Sequence, residues 1–305
     1  MLAGTVAFGQ GQDFSAVDVH VLPVQGRVYM LVGAGGNITI QLGDDGIVLV
    51  DSQYAELSDK ILAAVRELSD LPIRYIINTH VHPDHTGGNA SLARAGAGIA
   101  PSAPGQGAVG TAATIIAHEN VLTRMTQDQP PVPTDAWPNT TYFSGTKELY
   151  MNGEAIQVMY QPNAHTDGDS LVYFRGSDVI ATGDVFVTTT YPFIDRQRGG
   201  SLQGIIDAAN NILDLTIPKH EQEGGTYVIP GHGRLCDEHD VLEYRDMLTI
   251  VRDRVQDMIA RGMTLEEVKA ARPTLDYDPR WGAESGFWTT GMFVEAVYAE
   301  FSARP

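Results

Sequence analysis

The chain has 305 residues, 43% of them apolar, and a formal charge of −18 at pH 7. An acidic protein whose 20 Lys and Arg are scattered repels nucleic acids, so we expect no nucleic-acid partner. No apolar run reaches the roughly 18–20 residues that a membrane-spanning helix needs. The composition gives no indication of the oligomeric state.

The N-terminus and the single cysteine bear on the cellular compartment. Met1–Phe8 is short and apolar, which is typical either of the end of a signal peptide or of a frayed terminus. Because Cys236 is the only cysteine, an intrachain disulfide is excluded, and we expect a buried structural thiol. The location therefore stays open between the cytoplasm and the periplasm or exterior. We divide the chain into residues 1–16, a signal-peptide remnant or flexible terminus, and one domain, 17–305, with a helical extension at 238–305.

The first half of the chain is rich in strands. Apolar residues alternate or run between Gly-rich breaks, which predicts strands at Val17–Val24, Val28–Val32, Asn37–Leu42, Gly46–Asp51, Ile73–Asn78 and Ala112–Ala117. Helical spacing of apolar residues predicts helices at Leu57–Leu68, Gly87–Ala95 and Glu119–Met125. The proline-rich segment Gln127–Tyr142, which contains Trp137, is predicted to be irregular. It is either an ordered surface wrap or a lid over a site.

The second half repeats the pattern and ends in helices. Strands are predicted at Lys147–Met151, Glu154–Tyr160, Leu171–Phe174, Asp178–Thr182 and Thr226–Ile229. The pair Asn152-Gly153 between the first two of these is a strong signal for a tight hairpin turn. Helices are predicted at Leu202–Leu215 and Asp240–Ala260, from Thr264 onward, and at Trp288–Phe301. Strands interleaved with helices favour two sheets packed together with helices outside.

Four metal-binding side chains crowd into the segment after the strand Ile73–Asn78. They are His80, His82, Asp84 and His85. Imidazole and carboxylate are the usual ligands of zinc in catalytic sites. A structural role alone is a poor explanation, because charged imidazoles repel and a buried carboxylate needs a partner. A bound divalent cation resolves both problems.

Three further candidates follow predicted strands downstream. His165 follows Glu154–Tyr160, Asp184 ends Asp178–Thr182, and His232 ends Thr226–Ile229. Sites in α/β folds gather at loops beyond strand ends, where side chains converge on a rigid frame. Glycine stands beside Asp184 and His232 and permits tight turns there.

The complete set resembles the metallo-β-lactamase superfamily, in particular its glyoxalase II-like branch, over residues 17–235. The resemblance implies an α/β fold, a four-layer αββα sandwich with a two-metal site at one edge, here with extra C-terminal helices. By position, it implies that His80, His82 and His165 hold one zinc ion. Asp84, His85 and His232 would hold the second, and Asp184 would bridge both.

The implied activity is that of a binuclear zinc hydrolase acting on a small carbonyl substrate. A hydroxide shared by the two ions would attack a thioester, ester, lactone or β-lactam, with Asp84 orienting it. Aspartate at 184, where zinc β-lactamases have Cys or Ser, favours the glyoxalase-like and lactonase-like branches. Asp169, where glyoxalase II usually has histidine, argues against a glutathione thioester. Tyr191 is a candidate donor to a developing oxyanion, with a packing role as its alternative.

Other functions remain open on the sequence. A sulfur dioxygenase of this fold would use one iron ion on His80, His82, His165 and Asp184. A nuclease of the RNA-processing branch would need a basic tract, which the charge of −18 disfavours. A non-catalytic metal-binding module has no need for Asp84 in an open site.

Overall fold

The computed structural model describes residues 13–98, 112–221 and 224–303, so Met1–Phe8 lies outside the described residues. The chain divides into two compact units. The N-terminal unit comprises Met1–Tyr142 and Tyr150–Gly153, and the C-terminal unit comprises Phe143–Leu149 and Glu154–Pro305. Among the described residues, no helix combines the length and the apolar character that crossing a membrane requires.

The N-terminal unit is built on a seven-stranded sheet whose strands follow one another in chain order. They are β1 (His20–Gln25), β2 (Val28–Val32), β3 (Ile38–Gly43), β4 (Gly46–Val50), β5 (Ile73–Ile77), β6 (Thr114–His118) and β7 (Thr140–Tyr142). Strands β1 to β4 pair antiparallel, and β4 to β7 pair parallel. The parallel part needs long connections, and these carry α1 (Ser58–Leu68), α2 (Pro83–Thr86), α3 (Asn89–Ala95) and α4 (Glu119–Gln127).

Burial explains why β4 and β5 carry the N-terminal donor set. Every residue of β4 is buried, as expected of a strand covered on both faces. In α1, Ile61 and Val65 are buried one turn apart and pack with Leu49 and Ile76 in one apolar cluster. The ends of β4 and β5 are therefore held rigidly, and the segment that follows β5 starts from a fixed point.

The second sheet has six strands in the order β13-β12-β11-β10-β9-β8. They are β8 (Thr146–Met151), β9 (Glu154–Gln161), β10 (Asp169–Phe174), β11 (Val179–Ala181), β12 (Tyr227–Ile229) and β13 (Cys236–Asp237). Strands β11 and β12 pair parallel, and α5 (Leu202–Leu215) lies in their connection. Asn152 and Gly153 have φ of +56° and +82°, so the predicted hairpin turn is present with both central residues left-handed.

Four helices follow in the C-terminal extension: α6 (Glu238–Ala260), α7 (Leu265–Ala271), α8 (Asp278–Trp281) and α9 (Thr290–Ser302). Capping boxes formed by Asp237 with Asp240, and by Thr264 with Glu267, set the starts of α6 and α7. The apolar sides of α5, α6 and α9 share one buried cluster. Two mixed sheets with helices and a helical C-terminus confirm the expected fold class.

Short elements are where the structure departs from the sequence prediction. Gln127–Tyr142 is not wholly irregular, because it ends in β7, which pairs with β6. A three-residue strand is too short to show alternation. Trp137 donates its indole N–H to the Val132 carbonyl at 3.0 Å and packs against the cluster that contains Val81. This part of the segment is an ordered wrap.

Candidate metal centre

The N-terminal unit brings four predicted donors together at the end of β5. His80, His82 and His85 are at most 1% exposed, and Asp84 is 7% exposed. Pro83 stands at the first position of α2, where its fixed φ starts a helix, so Asp84 and His85 fall in one tight turn. The donor atoms of His80 and His82 lie within 4.8 Å of each other, as do those of Asp84 and His85.

Hydrogen bonds in this unit fix which ring nitrogen of two histidines carries the proton. Thr79 donates its backbone N–H and its hydroxyl to Asp51, at 2.8 and 2.7 Å. Since that hydroxyl proton is used, Thr79 Oγ1 can only accept from His80 Nδ1, 3.0 Å away. His85 Nδ1 lies 2.7 Å from the same Asp51 carboxylate and donates to it. Both rings therefore present Nε2 as the basic nitrogen, which is the arrangement of metal-ligating histidines.

Asp51 is the residue of this unit that the sequence prediction missed. It follows β4 with φ of +66°, and Gln53 has φ of +53°; left-handed backbone at residues with side chains is costly and is often found at functional sites. The only available signal was a carboxylate at the end of a fully apolar strand. Gly36 also belongs to this frame, because a side chain there would meet the His85 ring.

In the C-terminal unit, a hydrogen bond at Nδ1 likewise orients His165, which follows β9. His165 is fully buried, and its Nδ1 donates to the backbone carbonyl of Phe193 at 2.6 Å. A carbonyl only accepts, so Nε2 is again the basic nitrogen. The backbone amide of Asp195 also donates to the His165 carbonyl, at 3.1 Å. Two contacts from one loop therefore fix both the position and the tautomer of this ring.

Asp184 lies between two histidines of the same unit. Its Oδ2 is 3.7 Å from His165 Nε2, and its Oδ1 is 3.4 Å from His232 Nε2. Gly183 turns the chain at this point with φ of +52°. Gly231 is required beside it, because any Cβ there would collide with Asp184 Oδ1 and with the Gly183 backbone. Each carboxylate oxygen thus faces a different imidazole.

The separations between these donors fit ligands of a common ion better than hydrogen bonds. His85 Nε2 lies 3.8 Å from Asp84 Oδ2, and the two Asp184 contacts are 3.7 and 3.4 Å. Hydrogen bonds between nitrogen and oxygen are usually about 2.7–3.2 Å long. Two ligands each about 2.0–2.1 Å from a tetrahedral zinc ion lie roughly 3.3 Å apart. The donor sets of both units therefore suit divalent metal ions.

Asp169 supports the turn that carries His165. Its carboxylate accepts from the backbone N–H of Thr166 at 2.6 Å and from the Thr166 hydroxyl at 2.9 Å. Complete burial raises the pKa of this carboxyl well above its usual range, and the two hydrogen bonds oppose that rise. In this chain Asp169 therefore acts as a structural acceptor that holds the turn.

Tyr191, the candidate oxyanion donor, is 1% exposed in the C-terminal unit. Its hydroxyl lies 3.0 Å from Asp278 Oδ1 and 3.2 Å from the Thr274 carbonyl. Burial, followed by the charge of Asp278, raises the pKa of the phenol. Its ring stacks on Phe293 with centroids 4.6 Å apart. These contacts support the packing role.

The chain is similar to a known protein family and to two characterised proteins. The family model of the metallo-beta-lactamase superfamily matches residues 31–232, more than half of the chain. A subunit of a 2,4-dinitroanisole O-demethylase from Nocardioides sp. is 29% identical over 180 residues, which are 56% of this chain and 48% of that protein. A linear primary-alkylsulfatase from Pseudomonas sp. is 22% identical over 269 residues, 73% of this chain and 47% of that protein. The chain thus spans about half the length of these relatives.

Solved structures show the same fold. A metallo-beta-lactamase from Pontibacter korlensis superposes with a TM-score of 0.59 at 15% identity, covering 76% of this chain and 99% of that one. A stereoselective inverting sec-alkylsulfatase from Pseudomonas sp. superposes with a TM-score of 0.69 at 16% identity, covering 93% of this chain and 50% of that one. With the family match across both donor sets, the conclusion is plain: the chain belongs to the metallo-β-lactamase superfamily.

Proposed function

We propose that this protein is a binuclear metal-dependent hydrolase whose two donor sets form one site. One zinc ion would be held by His80, His82 and His165, and a second by Asp84, His85 and His232. Asp184 would bridge them, as in the glyoxalase II-like branch. The observation that carries the proposal is that each oxygen of Asp184 faces a different histidine, at 3.7 and 3.4 Å.

The chemistry of the donors supports hydrolysis. Ions bound there would polarise a carbonyl group and lower the pKa of a water molecule. The Asp84 carboxylate is placed in the same turn as His85, where it can orient that water and accept its proton. Asp51, Thr79 and the Phe193 carbonyl engage Nδ1 of three histidines, which leaves Nε2 as the nitrogen that would bind a metal ion.

The substrate we propose is a small molecule with a hydrolysable carbonyl: an ester, thioester, lactone or β-lactam. All of these present one electrophilic carbon to the same activated water. A sulfate ester is the second candidate. It is favoured by the relative named as a linear primary-alkylsulfatase, whose match extends over 73% of this chain.

Metal analysis with a substrate panel tests the proposal. We expect two zinc ions per chain by inductively coupled plasma mass spectrometry. We also expect turnover of at least one of a chromogenic cephalosporin, a lactone, a thioester, a simple ester and a primary alkyl sulfate. One iron ion per chain with oxygen consumption would instead establish the dioxygenase. Metal binding without turnover of any of these substrates would favour a non-catalytic module.

A variant at Asp184 tests the proposed bridging role. Asp184→Ala should retain at most one ion per chain and lose most of the activity, because it removes the carboxylate that both ions would share. Asp44→Ala is the matched control, since the Asp44 side chain is 99% exposed and its carboxylate pairs with the surface residue Arg27. Two ions and full turnover in Asp184→Ala would refute the assignment.

A further inference from the structure

The loop formed by residues 191–200 is held on its outer side by the C-terminal extension. Tyr191 donates its backbone N–H to the Trp281 carbonyl at 3.0 Å. Its hydroxyl contacts Asp278 and Thr274, and its ring lies parallel to Phe293, at 3° between planes. All four partners lie beyond residue 232, where the match to the family model ends.

Phe193 joins the same loop to His165. Its ring meets Phe287 and Trp288 edge to face, each with centroids 4.9 Å apart. On its other side the ring lies against His165, at 5.7 Å between centroids. The Phe193 carbonyl is the group that accepts the Nδ1 proton of His165, at 2.6 Å. The aromatic contacts of Phe193 therefore decide where that acceptor stands.

A backbone carbonyl moves only when the chain around it moves. Its position therefore depends on the contacts that hold this part of the chain. Here the chain is fixed by three aromatic contacts with the extension, one at Tyr191 and two at Phe193. Loss of the contacts at Tyr191 or at Phe193 would let the Phe193 carbonyl move. The Nδ1–H of His165 would then lose its hydrogen-bond acceptor. Partners of this kind behind a metal ligand typically change metal affinity by about 10–100-fold.

We propose that the extension holds a metal ligand in place. Phe287 and Trp288, with Tyr191 as the second anchor, are positioning residues that fix the Phe193 carbonyl and hence the Nδ1–H tautomer of His165. The proposal rests on the metal site of the proposed function. It gives the extension a part in the site without any contact between the extension and a substrate.

The test compares two variants of the whole 305-residue chain. Phe287→Ala/Trp288→Ala removes both rings, and since Phe287 is 46% exposed, its loss leaves little empty space. Trp288→Phe is the matched control. It keeps a ring at this place and removes an indole Nε1–H that has no hydrogen-bond partner among the described residues. Circular dichroism and the thermal midpoint establish that each variant is folded.

Two readouts follow, and one of them needs no metal. Nitrogen-15 NMR of metal-free protein near pH 8, above the ordinary imidazole pKa of about 6.5, reports the tautomer of His165. We expect one Nδ1–H form in the wild type and in Trp288→Phe, and a mixture in the double variant. Zinc affinity, measured by competition with a chelator, should fall about 10-fold or more in the double variant and stay unchanged in the control.

Each outcome of these measurements supports or overturns the proposal. A folded double variant with the wild-type tautomer and zinc affinity overturns the proposal, even if its thermal midpoint is lower. Should the double variant fail to fold, Tyr191→Phe takes its place. That variant keeps the stack on Phe293 and loses the contacts with Thr274 and Asp278, and the same two shifts are expected. A wild type that binds no zinc would refute the proposed function, while the tautomer of the metal-free protein would still decide the positioning.

Discussion

Asp51 shows how much one side chain controls in the N-terminal donor set. It accepts from the Thr79 N–H, the Thr79 hydroxyl and His85 Nδ1 while being 1% exposed. Asp51→Ala would leave three buried donors without their acceptor, each costing about 1–3 kcal/mol. We expect the free energy of unfolding to fall by about 3 kcal/mol or more, measured by urea titration.

The control for this change is again Asp44→Ala, whose exposed carboxylate pairs with Arg27 at 3.4 Å. It should shift the free energy of unfolding by less than about 0.5 kcal/mol. An Asp51→Ala protein as stable as this control would show that the network does not hold the site.

Cys236 gives a prediction about pH. Burial raises the pKa of its thiol to about 12, so at pH 8 the native protein contains almost no thiolate. We expect the native thiol to resist alkylation by iodoacetamide and the urea-unfolded chain to react readily. Because the folded-state pKa is the higher one, the thiol of the unfolded chain loses its proton first as pH rises above its ordinary pKa of 9.0. This group therefore lowers stability between about pH 9 and 12. Rapid alkylation of the native protein at pH 8 would contradict the prediction.

At the scale of elements, the turn between β12 and β13 controls where Asp184 stands. Gly231→Ala places a Cβ against Asp184 Oδ1 and the Gly183 backbone. We expect this variant to fold but to bind fewer metal ions, measured by mass spectrometry after dialysis against zinc. Gly145→Ala is the control, because no atom in the described part of the chain lies within 4 Å of a Cβ at that position. Equal metal content in both variants would contradict the assignment.

Most elements could be predicted because they are long enough to repeat a pattern. The helix predicted at Leu202–Leu215 has those bounds, and the strand at Val28–Val32 likewise. Three helices of the extension, α6, α7 and α9, were predicted from apolar spacing and capping residues, whereas the four-residue α8 was not. By contrast, β7 and β13 have three and two residues, and neither can display alternation. Their existence depends on pairing with distant strands, which local sequence does not encode.

The residues of the candidate site also fall into two groups, those that the sequence predicts and those that it does not. Histidines and aspartates after strand ends are visible in the sequence, and the structure places all seven beside β5, β9, β11 and β12. The groups behind them are not visible. Asp51 accepts a hydrogen bond from His85, which stands 34 residues later in the chain. The acceptor for His165 is a backbone carbonyl, a group that every residue has. Spacing identifies candidate ligands, whereas the contacts that orient them come only from the folded chain.

For the whole molecule, metal and stability should be linked. The side chains of Asp84 and Asp184 are only 10% and 13% exposed in a chain of charge −18, so a bound cation would offset negative charge that is held largely away from water. Zinc at 100 times its dissociation constant would stabilise the folded state by about 2.7 kcal/mol. We expect a chelator to lower the thermal midpoint, measured by calorimetry, and zinc to restore it. Asp184→Ala should respond less, and identical midpoints with and without chelator would count against metal binding by the folded protein.

The single buried thiol has a practical consequence. Since Cys236 is the only cysteine and its side chain is shielded, a cysteine introduced on the surface would be the one reactive thiol of the native protein. A spin label or fluorophore could then be attached at a chosen site, for example at exposed Phe143, without first removing the natural residue. Paired labels would allow distances between the two units to be measured in solution.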